Sequence, residues 1–130
     1  MKVTFNRMVA ALVLASCVAL PALALDEQAQ GDVRFVSGGV GETEIAEIKA
    51  IGPAYSLQVL TADRAGQFVS GAHVTIKRGG ASVLDTDLDG PYLLVKLSPG
   101  TYQLRATFEG RSMERKLVIG QKRQIVDLHW

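Results

Sequence analysis

The sequence predicts an all-β fold, a seven-stranded antiparallel Greek-key β-sandwich with one short N-terminal helix. Three observations carry this. Tyr102, Leu104, Ala106 and Phe108 alternate with Gln103, Arg105, Thr107 and Glu109, the period-two pattern of a strand with one face buried and one in water. Turn signals such as Asp63-Arg64-Ala65-Gly66, Gly79-Gly80, Ser98-Pro99-Gly100 and Gly120-Gln121-Lys122 divide the chain beyond Tyr55 into short runs at intervals of about 8–12 residues. Upstream, Ile45, Ile48 and Ile51 recur three apart, the narrow apolar stripe of a short helix.

The first 24 residues read as a leader rather than as fold. Lys2 and Arg7 form a positive start, Met8 to Leu20 is apolar, and Ala22-Leu23-Ala24 is a small-x-small cleavage site. That is the pattern of a secretory signal peptide, too short and wrongly flanked for a membrane span. Export to the periplasm follows. Of the 130 residues, 106 remain after cleavage at Ala24, enough for one domain. The whole chain has 14 basic and 13 acidic residues; without Lys2 and Arg7 the balance is 12 to 13, a net charge of −1. Such a balance gives no electrostatic reason to expect nucleic acid or an anionic membrane as partner. Cys17, the only cysteine, lies in the leader, so the exported domain has no disulfide and relies on its core. Leu14-Ala15-Ser16-Cys17 also fits a loose lipoprotein box, which would tether the protein to a membrane. Against that alternative, Val18 to Leu25 stays apolar where a polar linker would be expected.

Residues 25–32 are polar and read as a flexible N-terminus. A single domain then spans residues 33–130. Val33 to Val36 suits a short strand. Ser37-Gly38-Gly39-Val40-Gly41 turns into a helix over about residues 42–51, with Glu42, Glu44 and Glu47 toward its start, Lys49 toward its end and Gly52-Pro53 as its stop. The helix is expected across one end or edge of the sheet. The glycine-rich turn invites comparison with a phosphate-binding loop, but the Lys-Ser/Thr pair is replaced by Glu42-Thr43, whose carboxylate would repel phosphate.

From about residue 55 the period is two. Tyr55, Leu57 and Val59 share a face; Phe68-Val69 is a short element; Ala72, Val74 and Ile76 oppose His73, Thr75 and Lys77. Gly79-Gly80 is a hairpin signal. Leu84, Thr86 and Leu88 oppose Asp85, Asp87 and Asp89. An apolar run after Pro91 and the alternation from Tyr102 are predicted to form a hairpin about Ser98-Pro99-Gly100, with Gly100 at positive φ. A strand around Glu114 to Ile119 and a last one, Gln124 to Trp130, complete the set.

Thr86-Asp87-Leu88-Asp89-Gly90 and Leu97-Ser98-Pro99-Gly100-Thr101-Tyr102-Gln103-Leu104, with Gly71-Ala72-His73-Val74-Thr75-Ile76 before them, resemble the carboxypeptidase regulatory-like domains. Those are transthyretin-like (prealbumin-like) seven-stranded sandwiches found in many exported bacterial proteins. The resemblance covers about residues 55–130. It implies an accessory, structural or binding module without catalysis. The segment 33–53 departs from a minimal member, as in stand-alone exported forms.

Candidate sites are few. Asp85, Asp87 and Asp89 with Gly90 open like a calcium loop, but its twelfth position is Lys96 rather than glutamate, and the alternation spreads the carboxylates along a strand face. His73 and His129 are the only histidines and both fall at solvent-facing positions, so no metal site is expected. A Ser-His-Asp arrangement finds no supporting motif. The hydroxyisourate hydrolases share the fold, but their C-terminal Tyr-Arg-Gly-Ser is absent; this chain ends Leu128-His129-Trp130. A Lys–Asp isopeptide has only Lys77 and Asp127 as nominal members, both solvent-facing. A membrane barrel is opposed by short strands carrying Arg105, Glu109, Arg115 and Asp127 outside; Trp130 is expected to close the core. No catalytic residue, cofactor or metal is assigned. The expected function is a non-catalytic interaction module whose partner is a cell-envelope protein, peptide or glycan, with the oligomeric state open. The alternative is a small periplasmic hydrolase or isomerase using loop residues such as Ser37, His73 and Asp63.

Overall fold

A computed structural model of the chain describes residues 25–130; the expected leader, with Cys17, lies outside the described residues. Nine strands are present among them rather than seven. They are β1 (Gln28–Gln30), β2 (Val33–Gly38), β3 (Leu57–Ala62), β4 (His73–Arg78), β5 (Ala81–Asp87), β6 (Tyr92–Lys96), β7 (Gly100–Phe108), β8 (Arg111–Ile119) and β9 (Gln124–His129). One helix, α1 (Gly41–Ile51), continues into a 3-10 turn over Gly52–Ala54. The strands form a five-stranded sheet, β1-β2-β6-β3-β9, and a four-stranded sheet, β5-β4-β7-β8. Both strands beyond the predicted seven precede the helix, and β1 lies in the stretch predicted to be flexible. Glu27 explains why this stretch is held: its carboxylate accepts from Tyr55 (2.5 Å) and faces Lys96 and Arg34, each at 3.4 Å. The phenol hydrogen bond, joined by Lys96 and then Arg34 and opposed by desolvation, holds Glu27 below the usual carboxylate range, while burial and Glu27 push Tyr55 up to about 12.

Two expectations differ from the structure, the hairpin about Ser98-Pro99-Gly100 and the wholly antiparallel arrangement. The turn Ser98-Pro99-Gly100 does not close a hairpin. It carries the chain from β6, which pairs with β2 and β3, to β7, which pairs with β4 and β8. The reason lies in burial. Tyr92, Leu93, Leu94 and Val95 are all buried, so β6 needs a sheet covered on both faces, whereas β7 has one polar face and suits a sheet open on one side. The second difference is β9, which runs parallel to β3 in an otherwise antiparallel arrangement.

The inner faces of the sheets meet in one core, with Leu57, Val59 and Leu93 from one sheet against Ile76, Leu104 and Leu117 from the other. Trp130 joins this core, its ring 5.7 Å from that of Phe108 and its Nε1 donating to the Arg111 carbonyl at 2.9 Å. On the far side of the five-stranded sheet, Val36, Leu94 and Tyr92 form a second cluster with Ile48, Tyr55 and Leu25. Helix α1 therefore lies on the outer face of that sheet, not at an end or edge. Its start is closed from within, because the Glu44 carboxylate accepts from the amides of Gly39 and Val40, both at 3.1 Å. A carboxylate thus occupies the place an anion would take. Among the described residues the outer face of the four-stranded sheet has no such cover.

Candidate functional site: the open face of the four-stranded sheet

Strand pairing sets out this face as rows. His73 stands opposite Asp87 on one side and Thr107 on the other, with Ser112 beyond. The next row is Asp85, Thr75, Arg105 and Glu114; the next is Lys77, Gln103 and Lys116. A β-bulge makes the first two rows possible. Counting back from the Gly79-Gly80 turn, Lys77 pairs with Ser82 but Ile76 pairs with Leu84, leaving Val83 as the extra residue. Without it, Val74 would face Asp85 and a carboxylate would enter the core. With it, Leu84 and Thr86 turn inward and Asp85 and Asp87 turn outward.

The acidic end of the face is organised about His73. Its Nδ1 lies 2.6 Å from Asp87 and its Nε2 2.5 Å from Asp85, which also accepts from the Thr75 hydroxyl at 3.2 Å. Two carboxylates on two ring nitrogens suit the imidazolium, which donates from both. The hydrogen bond to Asp87, aided by that to Asp85 and opposed by slight burial, raises the His73 pKa above its ordinary 6.5. His73 thus points outward as predicted, but it is clamped, and neither nitrogen faces a hydroxyl.

The other end is a groove of about 620 Å³ over β4, β7 and β8, with Lys77, Gln103, Arg105, Glu114 and Lys116 along it and the Gly79-Gly80 turn at its side. Arg105 and Glu114 are 3.9 Å apart and both largely exposed, a pair worth about 0–1 kcal/mol. Lys77 and Lys116 make no ion pair among the described residues. Three cations against one carboxylate leave the groove positive. Behind it, Arg78 lies over the Tyr102 ring at 5.3 Å and donates to the Pro99 carbonyl at 3.3 Å.

No family model matches the chain, and no curated protein shows a significant match.

The remaining predicted residues are dispersed. Asp89 does not join Asp85 and Asp87 about a centre; its amide donates to Ser37 Oγ at 2.7 Å in the turn before β6. Among the described residues no group of three or more His, Cys, Asp or Glu side chains is placed to hold a metal ion. Ser37 is buried in that contact, and the Asp63 carboxylate accepts from the amides of Ala65 and Gln67, each at 2.9 Å. Ser37, His73 and Asp63 share no partner. Lys77 and Asp127 lie in different sheets, and His129 is exposed on β9. No helix among the described residues is long and apolar enough to cross a membrane. The positive groove is not visible in the sequence, because Lys77, Arg105 and Lys116 come from three strands and alternation carries no information about which strands are neighbours. The alternation marks Lys77 and Arg105 as outward-facing, but it gives Lys116 no face; pairing with Gln103 is what brings Lys116 onto this side.

Proposed function

We propose that the protein is an exported, non-catalytic interaction module of the periplasm, a Greek-key sandwich similar to the carboxypeptidase regulatory-like, transthyretin-like domains. It engages a cell-envelope protein, peptide or glycan through the open face of the four-stranded sheet. The observation that carries this is the difference between the two sheets. One has its outer face covered by α1; the other leaves a polar face bare, with a groove of about 620 Å³. A bare, concave face with organised charge suits recognition. The hydrolase or isomerase alternative draws no support from Ser37, His73 and Asp63, each of which is engaged elsewhere.

The test is site-specific photo-crosslinking in the exporting host. A photoreactive residue at Gln103 is expected to capture an envelope component, and one at exposed Lys49 on α1 is not. Adducts from Lys49 alone would place the interaction on the other side of the molecule and overturn the proposal. The intact mass of the recovered protein reads the leader: a chain starting at Leu25 is the expected product, and a lipid-bearing chain starting at Cys17 would replace it with a membrane-tethered form.

A further inference from the structure

The groove has a sign, a floor and a spacing. Lys77 and Lys116 flank Gln103 in one row across β4, β7 and β8. Two interstrand steps separate them, about 10 Å between their backbones. Arg105 lies in the adjacent row beside its Glu114 partner, whereas the two lysines make no ion pair among the described residues and are the cations placed to take a ligand's charge. Between them lie the Thr101 hydroxyl and the Gln103 amide, whose nitrogen donates to Glu114 at 3.4 Å and whose oxygen is of the kind that accepts from a peptide backbone.

We infer, building on the interaction-module proposal, that this groove binds an extended acidic peptide segment of a partner protein. An extended chain places alternate side chains about 7 Å apart on one side. Two flexible lysines can meet two such carboxylates while the central row meets the backbone. Lysine ammonium groups act as point charges and do not require the fork geometry by which arginine selects phosphate. A neutral glycan fits less well. The aromatic ring at the groove, Tyr102, is only 4% exposed and is covered by Arg78, so it offers no stacking platform. The chain's own residues 1–24 do not suit the groove either, since they contain Lys2 and Arg7 and no acidic residue.

The experiment is fluorescence anisotropy with the purified full chain and a labelled peptide of alternating glutamate and serine, at about 0.05 M and about 0.5 M salt. Binding is expected at low salt and is expected to weaken at least tenfold at high salt. Lys77→Glu with Lys116→Glu is expected to weaken it at least tenfold with an unchanged melting temperature, because both side chains lie on the solvent face. Lys49→Glu with Lys122→Glu is expected to leave it unaltered. Equal loss in both double variants, or binding of a lysine-serine peptide as tight as the acidic one, overturns the inference. Binding of an oligogalacturonate in place of the peptide, or a concentration-dependent dimer that blocks the peptide, also overturns it. Failure of the acidic peptide while Gln103 still crosslinks a partner removes the acidic-peptide assignment and leaves the interaction surface standing. Failure of the Gln103 crosslink removes the surface itself.

Discussion

His73 shows how one side chain can report on this face. Its pKa is raised in the folded state, chiefly by the hydrogen bond to Asp87 and then by Asp85. The stabilisation is therefore fully present below the ordinary value of 6.5 and is lost as pH rises through the raised one. The difference in melting temperature between the protein and His73→Gln is expected to be largest between about pH 5 and 6.5, where carboxylates are ionised, and to shrink at higher pH. A difference that grows toward pH 8 would contradict the clamp. The group is about half exposed, so the effect is screened and small. The glycines give a sharper test. A Cβ on Gly90 would run into the backbone of Gly38, which cannot swing aside, whereas one on Gly120 meets nothing. Gly90→Ala is expected to cost more than about 2 kcal/mol in denaturant unfolding, and Gly120→Ala less than about 0.5 kcal/mol. Gly100 is intermediate. Its φ is +153°, but the nearest obstacle is the Arg78 guanidinium at 2.8 Å, which can move.

At the scale of elements, α1 depends on its contact with the sheet more than on its own sequence. It has 11 residues and no side-chain hydrogen bond from its N-cap residue, Val40, and helices this short are marginal alone. Ile48 is fully buried against Val36 and Leu94. Ile48→Ala is expected to cost about 2–5 kcal/mol and to speed amide exchange in α1 ahead of the four-stranded sheet. Edge strand β5 is protected in another way. The Gln30 side chain donates to the Asp85 carbonyl and accepts from the Asp85 amide, both at 2.9 Å, the two bonds a further strand would make there. Gln30→Ala is expected to speed exchange at the Asp85 amide at least tenfold and to promote self-association in light scattering. No change at Asp85 would mean that this amide bridge does not guard the edge. The Gln30 contact spans 55 positions, which is why residues 25–32 looked flexible in the sequence.

Over the whole molecule the chain crosses between the sheets four times among the described residues, at β3–β4, β5–β6, β6–β7 and β8–β9. These crossings bring Lys77, Arg105 and Lys116 onto one face and leave α1 on the opposite side. Alternation by itself determined the strand character of nearly every run beyond Tyr55 and the inward side of β4, β7 and β9, because a half-buried strand must separate its apolar and polar residues at period two. It also marked His73, Asp85, Asp87 and Lys77 as outward-facing. Alternation carries no information about neighbours. Only the tertiary structure decided that β6 and β7 part at Ser98-Pro99-Gly100, that β9 runs parallel to β3, and that a bulge at Val83 turns two aspartates toward one histidine. Pairing is a competition among distant strands for faces that must be covered. It is resolved by the shape and burial of the assembled sheets, a property that no single stretch of the chain possesses.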